Sequence, residues 1–529
     1  MPDTPLYLRQ NVAAEPLFNQ WYAWSYLISP STAPFYVANL HLPIMESFVA
    51  APQVHAAAYA ESAMLGGPFI NYGAAKVGDI GRLLERTRRE QSHMVEFAEA
   101  AAALDRLLAA EAKGYSLEPL YPRVPAPLRG YVELTYDLHN RPSFRFLEGL
   151  LYRSRYYDAS SQSVALSLLG DDSRPFVFST PRLEGDGGLH LRLPLASPGL
   201  DLLFEMKDRA RPFGEIREAL GVGGGEEARL RALFTEEAPP PRPAYAGRGV
   251  RVRYLAHACL LIESAGTTVL TDPVVSYRHG GSDGRYTFAD LPARINYVLI
   301  THNHQDHCMF ETLLQLRHKT ETVVVPRGGG GRADPSLKRI LEAVGFADVR
   351  ELDELESVEV EGGAITGVPF LGEHCDLRIR TKSAYLVRLG GRSVLVGADS
   401  CNIEPEVYGR VREAVGGVDL LFLGMECDGA PLTWMYGPLL PASIPRKMDQ
   451  SRKLNGSNYE QALGVVERLG PKGVYVYAMG LEPWLTYLTS LRYGEEALPM
   501  VESDRLVEAC RGREIEAERL YREKEFHLS

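Results

Sequence analysis

The sequence predicts a two-domain protein in which a C-terminal α/β sandwich follows a separate α+β domain. Two features lead to this prediction. Beyond residue 250, short runs of Val, Leu and Ile alternate with helical segments, an order typical of an α/β sandwich. Between Glu237 and Gly249 there are four prolines, which exclude a helix or a central strand and therefore predict an extended linker.

Mixed α+β structure is predicted for the N-terminal domain, residues 1–237. Its first 75 residues contain many aromatic side chains and scattered prolines, which favours loops. Apolar residues at three- and four-residue spacing predict a helix from about Gly78 to Ala112. Short strands are predicted within residues 130–195, and helices from there to about Phe234. The histidines of this half are isolated in the sequence, so we predict no catalytic cluster there.

The linker is assigned to residues 238–249 and the C-terminal domain to residues 250–529. A helix is predicted at Pro335–Val344. The glycine run Gly328–Gly331 is interpreted as a flexible turn, because no strand–GxxxxGK–helix pattern surrounds it. The predicted strands are 250–255, 259–263, 268–272, 297–301, 322–326, 393–397, 420–424 and 474–480.

Charge and hydropathy narrow the possible functions. The 529 residues include 57 Lys and Arg against 68 Asp and Glu, and this acidic balance disfavours a nucleic-acid partner. No run approaches the roughly 18–20 apolar residues of a membrane helix, and the N-terminus lacks a signal-peptide pattern, so we expect a cytoplasmic protein. The six cysteines form no CxxC pair, and we expect them to be reduced and buried.

The predicted metal site begins directly after the apolar strand Tyr297–Thr301. The next residues include His302, His304, Asp306 and His307. Alternate residues of an extended chain point the same way, so His302 and His304 can bind one metal ion. Asp306 and His307 are adjacent and begin the following turn, where they can hold a second ion. Burial of these four polar groups without a metal would be costly.

This HxHxDH motif after an apolar strand resembles the metallo-β-lactamase fold. The strand pair around His257 and the turn Thr271-Asp272-Pro273 agree with that resemblance. It implies a four-layered αβ/βα sandwich over about residues 250–529, with the metals at one edge. His257 is interpreted as a structural hydrogen-bonding residue of the strand pair, with metal ligation as the alternative.

The chain departs from the zinc hydrolases of this fold at two of the positions implied by the resemblance. Where those enzymes have a third histidine after a glycine, this chain has Glu373 followed by His374. Neighbouring side chains of a strand point oppositely, so one of the two faces the metals, and we favour Glu373. Asp399 matches the bridging aspartate, but no histidine follows the late strand near Met479.

The resemblance therefore implies a site of three imidazoles and three carboxylates. Its ligands are His302, His304, Glu373 and Asp399 on one metal, and Asp306, His307 and the shared Asp399 on the other. Oxygen-rich sites with open positions suit iron and dioxygen better than zinc.

The whole chain resembles the chloramphenicol-biosynthesis β-hydroxylase and its relatives, a family of diiron oxygenases. These enzymes hydroxylate the β-carbon of an aminoacyl group tethered to a carrier domain of a nonribosomal peptide synthetase. The resemblance implies two iron ions, O2 as co-substrate, an external electron donor such as a separate reductase, and a role in antibiotic or other natural-product biosynthesis. The N-terminal domain is then expected to serve dimerisation or carrier docking, with a homodimer as the assembly.

Two further features are predicted to contact the substrate. Glu426 ends a strand on the expected metal edge, where it would orient Glu373 or sense the substrate. A lid-like insertion near residues 430–460 combines aromatic residues with Arg446, Lys447, Arg452 and Lys453. The aromatic rings would enclose an aryl side chain, and the cations would meet the phosphate of a phosphopantetheine arm. The alternative for Glu426 is an ordinary residue at the rim of the site, and the alternative for the insertion is an ordinary surface loop.

Two rival functions stay open at this point. The first is a dinuclear zinc hydrolase, against which Glu373 and the missing last histidine argue. The second is a non-enzymatic binding protein with a relict fold, which the intact set of metal-binding residues disfavours.

Overall fold

The computed structural model describes residues 4–61, 64–185, 187–240 and 245–529. Residues 241–244 of the predicted linker lie outside the described residues. Within these ranges, no helix combines the length and the apolar character needed to cross a membrane.

The N-terminal half is a mixture of short strands and helices. Its strands are β1 (Pro5–Leu8), β2 (Val12–Phe18), β3 (Trp21–Tyr22), β4 (Val132–Tyr136), β5 (Pro142–Phe146), β6 (Gln162–Leu168), β7 (Leu189–Leu191), β8 (Arg211–Pro212) and β9 (Phe234–Thr235). Its helices are α1 (Ser25–Ile28), α2 (Ala33–Tyr36), α3 (Leu42–Ala50), α4 (Pro52–Ala60), α5 (Val77–Glu90), α6 (Ser92–Glu111), α7 (Glu148–Leu151), α8 (Pro198–Glu205), α9 (Phe213–Ala219) and α10 (Glu227–Ala232). The α+β composition predicted for this half is confirmed.

The prediction that the first 75 residues are loop-like is wrong. They form β1 to β3 and helices α1 to α4. The misleading signal was proline: Pro34 and Pro52 each lie in the first turn of a helix, where the missing N–H costs no hydrogen bond. The helix predicted from Gly78 to Ala112 is interrupted at Gln91, between α5 and α6.

The C-terminal half alternates strands and helices as predicted. Its strands are β10 (Val250–Ala256), β11 (Cys259–Glu263), β12 (Thr268–Thr271), β13 (Ile295–Leu299), β14 (Thr320–Pro326), β15 (Val349–Leu352), β16 (Ser357–Val360), β17 (Gly363–Val368), β18 (Ala384–Leu389), β19 (Arg392–Val396), β20 (Leu420–Gly424), β21 (Gly473–Tyr477), β22 (Glu516–Arg519) and β23 (Lys524–Leu528). Its helices are α11 (Phe310–Leu316), α12 (Leu337–Ala343), α13 (Glu406–Val415), α14 (Leu432–Tyr436), α15 (Arg446–Ser451), α16 (Tyr459–Leu469), α17 (Thr486–Thr489) and α18 (Leu498–Arg511).

Two seven-stranded sheets pack face to face in this half. Their strand orders are β15-β14-β13-β12-β11-β10-β23 and β16-β17-β18-β19-β20-β21-β22. Alternate residues of β10 and β11, such as Val252 and Leu260, face the apolar layer between the sheets, whereas their neighbours Leu255 and Leu261 pack with α11 and α12 outside the first sheet. Helices α13, α16 and α18 cover the second sheet. The predicted αβ/βα sandwich is confirmed.

The strand directions bring the candidate ligands to one edge. Strands β12 to β15 are parallel to one another, as are β19 to β22. The segment His302–His307 follows β13, Asp399 follows β19 and Glu426 follows β20. Since the carboxyl ends of parallel strands meet at one edge of a sheet, these residues gather there.

The two halves share buried side chains. One apolar cluster joins Leu200 and Phe204 to Leu314, and another joins Trp24 to Met435. The N-terminal half therefore packs both on the helices of the first sheet and against the 430–460 insertion.

A buried charged group also joins the halves. The carboxylate of Glu311 accepts hydrogen bonds from Tyr22 (3.1 Å), Tyr277 (2.6 Å) and Tyr487 (3.1 Å) and pairs with Arg174 at 2.9 Å. We call these five residues the Glu311 cluster. Tyr22 and Arg174 come from the N-terminal half and the other three residues from the C-terminal half, so separating the halves would leave Glu311 without two of its partners.

Candidate metal centre

Three side chains form the first group of possible metal ligands. The Nε2 atom of His302 lies 3.1 Å from Nδ1 of His304. The Glu373 carboxylate reaches both rings, with Oε1 2.7 Å from His304 Nδ1 and Oε2 3.7 Å from His302 Nε2. All three residues are buried, and their ligand atoms lie within 4.8 Å of one another.

A second group lies beside the first. It consists of His257, Asp306 and His307, and the Asp306 Oδ2 atom lies 3.3 Å from His257 Nε2. Asp399 connects the two groups, because its Oδ2 atom is 3.0 Å from His307 Nε2 and 3.9 Å from His302 Nε2. The structure thus brings together all six predicted ligands and places Asp399 between the two groups.

A tight turn directs Glu373 into the first group. Gly372 and Glu373 both have positive φ, at 73° and 63°. A Cβ atom on Gly372 would lie 2.5 Å from that of Cys401, so no larger residue fits there. His374 instead stacks on the ring of His304, with centroids 4.5 Å apart, and its Nδ1 faces the Gly372 carbonyl at 3.3 Å.

Strained backbone is concentrated around these groups. The non-glycine residues His257, Asp272, Glu373, Ala398 and Ala478 all have positive φ, between 32° and 63°. Such conformations cost about 1–3 kcal/mol each and persist where surrounding packing fixes them. They turn the chain sharply at strand ends, so that the ligand side chains point inward.

Each metal-facing histidine is held from its other side. Nδ1 of His307 lies 2.8 Å from Asp272 Oδ2, and Nδ1 of His302 lies 3.0 Å from the Thr301 hydroxyl. Nε2 of His304 lies 3.3 Å from the hydroxyl of Tyr436 in α14. Such partners fix the tautomer and orientation of metal-binding imidazoles. Burial also lowers the pKa of His302 well below its usual value, which favours the neutral form that binds metal.

The hydrogen bonding of these groups fits a dinuclear metal site. Within the described residues, Asp399 Oδ1 is a buried polar atom without a hydrogen-bond partner. Glu373 Oε2 and His307 Nε2 have no partner in hydrogen-bond geometry, although His374 Nδ1 and Asp399 Oδ2 lie 3.0 Å from them. A Cβ atom on Gly424 would come within 2.5 Å of Asp399 Oδ1, so the glycine leaves room for this carboxylate. The converging donor set contains three carboxylates, as expected for iron rather than zinc.

Glu426 lies beside the same groups. Its pKa is raised well above the usual value by burial and by the nearby carboxylates of Asp399, Asp306 and Glu373. It is therefore close enough to the candidate ligands to influence them electrostatically, as predicted from its position after β20. Its role in orienting Glu373 or in sensing substrate stays a prediction.

Three residues around the candidate metal centre were not predicted from the sequence. Asp272 was noted only as part of a turn, although it holds His307. Tyr436 was considered only among the aromatic residues of the insertion, although its hydroxyl contacts His304 and its ring packs edge to face on Tyr26 of the N-terminal half. The position of Asp272 directly after a strand could have indicated its role. No local signal in the sequence connects Tyr26 or Tyr436 with the metal groups.

The hydrogen bonds of His257 indicate a positioning role for this residue. Its Nδ1 accepts a hydrogen bond from the backbone N–H of Gly480 at 3.2 Å. In the neutral ring the proton then lies on Nε2, beside Asp306. An N–H at this position favours donation to the Asp306 carboxylate over binding a metal ion, in agreement with the structural interpretation of His257.

We expect His257→Ala to weaken metal binding at the Asp306 side by about 10- to 100-fold, as is typical when a partner of a ligand is removed. Metal titration followed by iron analysis measures this. His257→Gln retains a donor and should restore most of the affinity. If His257 is instead a ligand, both variants will lose the ion equally.

Comparisons with known proteins give matches in both halves of the chain. The family model described as "Diiron non-heme beta-hydroxylase N-terminal domain" matches residues 7–239. The model described as "Beta-lactamase superfamily domain" matches residues 251–424. Together they cover most of both halves.

Two individual proteins are similar over nearly their full length. The 4-amino-L-phenylalanyl-[CmlP-peptidyl-carrier-protein] 3-hydroxylase of Streptomyces venezuelae is 42% identical over an alignment of 530 positions, which covers 98% of this chain and 99% of the relative. The crystal structure of CmlA, a diiron β-hydroxylase from Streptomyces venezuelae, superposes with a TM-score of 0.93 at 41% identity, covering 99% of this chain and 100% of that one.

Proposed function

We propose, since the chain belongs to the family of diiron non-haem β-hydroxylases, that it hydroxylates the β-carbon of an aminoacyl group tethered to a carrier domain of a nonribosomal peptide synthetase. The chain is a hydroxylase by this family membership. The aromatic aminoacyl substrate, the carrier and the place in antibiotic or other natural-product biosynthesis are parts of the proposal.

The observation that carries the proposal is the composition of the metal centre. Glu373, at the position that the resemblance implies for the third ligand, lies 2.7 Å from His304 Nδ1. The late strand β21 is followed by Ala478, Met479 and Gly480 rather than by a histidine. Carboxylate-rich sites of this kind suit iron and dioxygen. The alternative of a zinc hydrolase is not favoured, because the matched N-terminal model and both full-length matches are hydroxylases.

The reaction replaces a C–H bond with a C–OH bond. One atom of O2 enters the substrate and the other leaves as water. Two electrons come from the C–H bond, and two electrons with two protons come from an external donor. Two iron ions, held by His302, His304, Glu373, Asp306, His307 and Asp399, would supply the activation of O2.

The other side chains keep these ligands in place and exclude water. Asp272 and Thr301 orient His307 and His302, and Tyr436 does the same for His304. Helix α14 of the 430–460 insertion lies over the groups through Tyr436 and packs on Tyr26. In the proposal, the insertion closes the site around the aminoacyl group, while Glu426 orients Glu373 or senses the substrate.

The basic residues of the insertion extend this proposal to the carrier. Arg446 and Lys447 are exposed at the beginning of α15, whereas Arg452 and Lys453 are half-buried, with Arg452 Nε donating to the Cys375 carbonyl at 2.8 Å. Arg446 and Lys447 are therefore the cations that we propose to meet the phosphate of the phosphopantetheine arm.

The test begins with the purified protein reduced by a chemical donor without O2. We expect iron rather than zinc by metal analysis. After O2 is added, we expect one labelled oxygen atom at the β-carbon of a carrier-bound aromatic aminoacyl group. The reduced protein should react slowly with O2 alone or with the free amino acid, and much faster with the loaded carrier, because remote binding energy can be used at the reacting centre. Two zinc ions with ester or amide hydrolysis would overturn the proposal, and equal O2 rates would overturn the substrate gating.

The proposal also includes a separate reductase as the electron donor, a homodimeric assembly and a cytoplasmic location. The dimerisation or carrier-docking role of residues 1–237 and the linker at residues 238–249 stay predictions.

A further inference from the structure

A largely aromatic cavity lies between the N-terminal half and the 430–460 insertion. Its volume is about 290 Å³, close to the lower end of the roughly 300–1,000 Å³ typical of small-molecule sites. Its lining includes the rings of Trp21, Trp24, Tyr36, Phe176, Phe178 and Trp434. A cavity of this size and composition suits one aromatic ring.

The cavity reaches the chain segment that carries four of the candidate ligands. Gln305 lines it, and this residue lies in the chain between the candidate ligands His304 and Asp306. Thr433 and Met435 of α14 also line the cavity, and Tyr436 of the same helix contacts His304. A ring bound in the cavity would therefore contact two chain segments that also carry residues of the candidate metal centre.

Among the residues that the structure describes, four buried polar atoms of the cavity lining have no hydrogen-bond partner. They are Trp21 Nε1, His41 Nδ1, Ser179 Oγ and Gln305 Oε1. Buried polar atoms are nearly always paired, so a group of four around one cavity calls for an explanation. A few polar groups in an apolar pocket are what orients a small molecule there.

The kinds of atom indicate the chemistry of the occupant. Gln305 Oε1 can only accept a hydrogen bond, Trp21 Nε1 can only donate one, and the Ser179 hydroxyl can do both. The ring of His41 stacks on Trp21, with centroids 4.0 Å apart, and burial lowers its pKa to about 3, so it is neutral. This uncharged mixture of donors and acceptors suits a neutral amino or hydroxyl substituent, but not a carboxylate or an ammonium group.

We infer that this cavity binds the aromatic side chain of the carrier-tethered substrate and recognises a neutral amino or hydroxyl substituent on its ring. The inference rests on the proposed function, because it assigns the side-chain site of the same reaction. It also assigns a role to the N-terminal half, which supplies Trp21, His41 and Ser179 and thereby determines side-chain specificity.

The test compares aminoacyl groups on one and the same carrier. Alanyl, phenylalanyl, 4-hydroxyphenylalanyl and 4-aminophenylalanyl carriers are assayed for kcat/KM with O2 and for affinity without O2. We expect both substituted rings to exceed phenylalanyl by at least about 10-fold in kcat/KM, since a site built for a polar group rejects the analogue that lacks it.

Two variants test the cavity itself. His41→Phe keeps a ring beside Trp21 but removes the unpaired nitrogen, and it should reduce the preference for substituted rings while phenylalanyl is still hydroxylated. Ser179→Leu fills the cavity, and it should weaken binding of all aryl carriers by at least about 10-fold but leave alanyl carrier binding unchanged. His139→Phe, at an exposed position, is the control for the histidine substitution.

The outcomes separate the two proposals. If the wild-type protein hydroxylates no loaded carrier, the proposed function fails. If it hydroxylates carriers but neither cavity variant changes the order of preference or the aryl affinity, the proposed function stands and the cavity assignment is overturned. Should Ser179→Leu fail to fold, the preference measured with His41→Phe decides alone.

Discussion

Replacing Asp399 with alanine is expected to abolish hydroxylation and to lower the iron content well below two ions per chain. Asp399 lies between the two ligand groups, 3.0 Å from His307 Nε2 and 3.9 Å from His302 Nε2. Its removal would leave two neighbouring cations without their shared negative charge. The affinity should fall by more than about 100-fold, because loss of a partner outside the ligand set already costs about 10- to 100-fold.

Iron analysis after reconstitution, together with the labelled-oxygen assay, measures both effects. Asp283→Ala is a matched control, because Asp283 is an exposed aspartate of the same domain. Asp399→Asn keeps the size of the side chain but removes its charge, so it separates a packing defect from loss of the bridging carboxylate. Full iron occupancy with normal turnover in Asp399→Ala would exclude this residue from the metal centre.

Replacing Glu311 with alanine is expected to destabilise the folded protein by about 3–5 kcal/mol, the usual cost of breaking a buried ion pair. The change leaves the guanidinium of Arg174 with Glu15 as its one remaining carboxylate partner in the described residues. It also leaves the hydroxyls of Tyr22, Tyr277 and Tyr487 without their acceptor.

Denaturant unfolding followed by circular dichroism measures this loss. Glu133→Ala is the matched control, because Glu133 pairs with Arg145 on the surface, where such a pair contributes only about 0.2–1 kcal/mol. If both variants unfold at the same denaturant concentration, the Glu311 cluster does not stabilise the junction between the two halves.

The C-terminal fold could be predicted from sequence because its signals are local. Apolar runs in regular alternation indicate buried strands, and His302, His304, Asp306 and His307 all lie within one short segment after β13. Asp399 follows the parallel strand β19, and the carboxyl ends of parallel strands are where a sheet collects its polar residues. Glu373 lies beyond β17, which pairs antiparallel with both of its neighbours, so its place came from the resemblance alone. The resemblance to a known fold then indicated that these positions, which are distant in the sequence, belong to one site.

The remaining contributors could not be predicted because their contacts are distant in the chain. Tyr436 and Tyr26 come from different halves, yet both belong to one chain of contacts that begins at His304. The tautomer of His257 depends on the backbone of Gly480. The helices near Pro34 and Pro52 were missed because proline was interpreted as a helix breaker, although it is tolerated in the first turn.

If the insertion opens and closes as proposed, the contact between Tyr436 and His304 couples its closure to the affinity for metal. The hydroxyl of Tyr436 can meet His304 only while α14 lies over the site. If this contact strengthens metal binding by some factor, metal binding must favour the closed insertion by the same factor, because linkage between two equilibria is reciprocal. A carrier that moves α14 aside on docking would therefore use part of its binding free energy to break the contact between Tyr436 and His304. Bound metal would weaken the affinity for that carrier by the same factor.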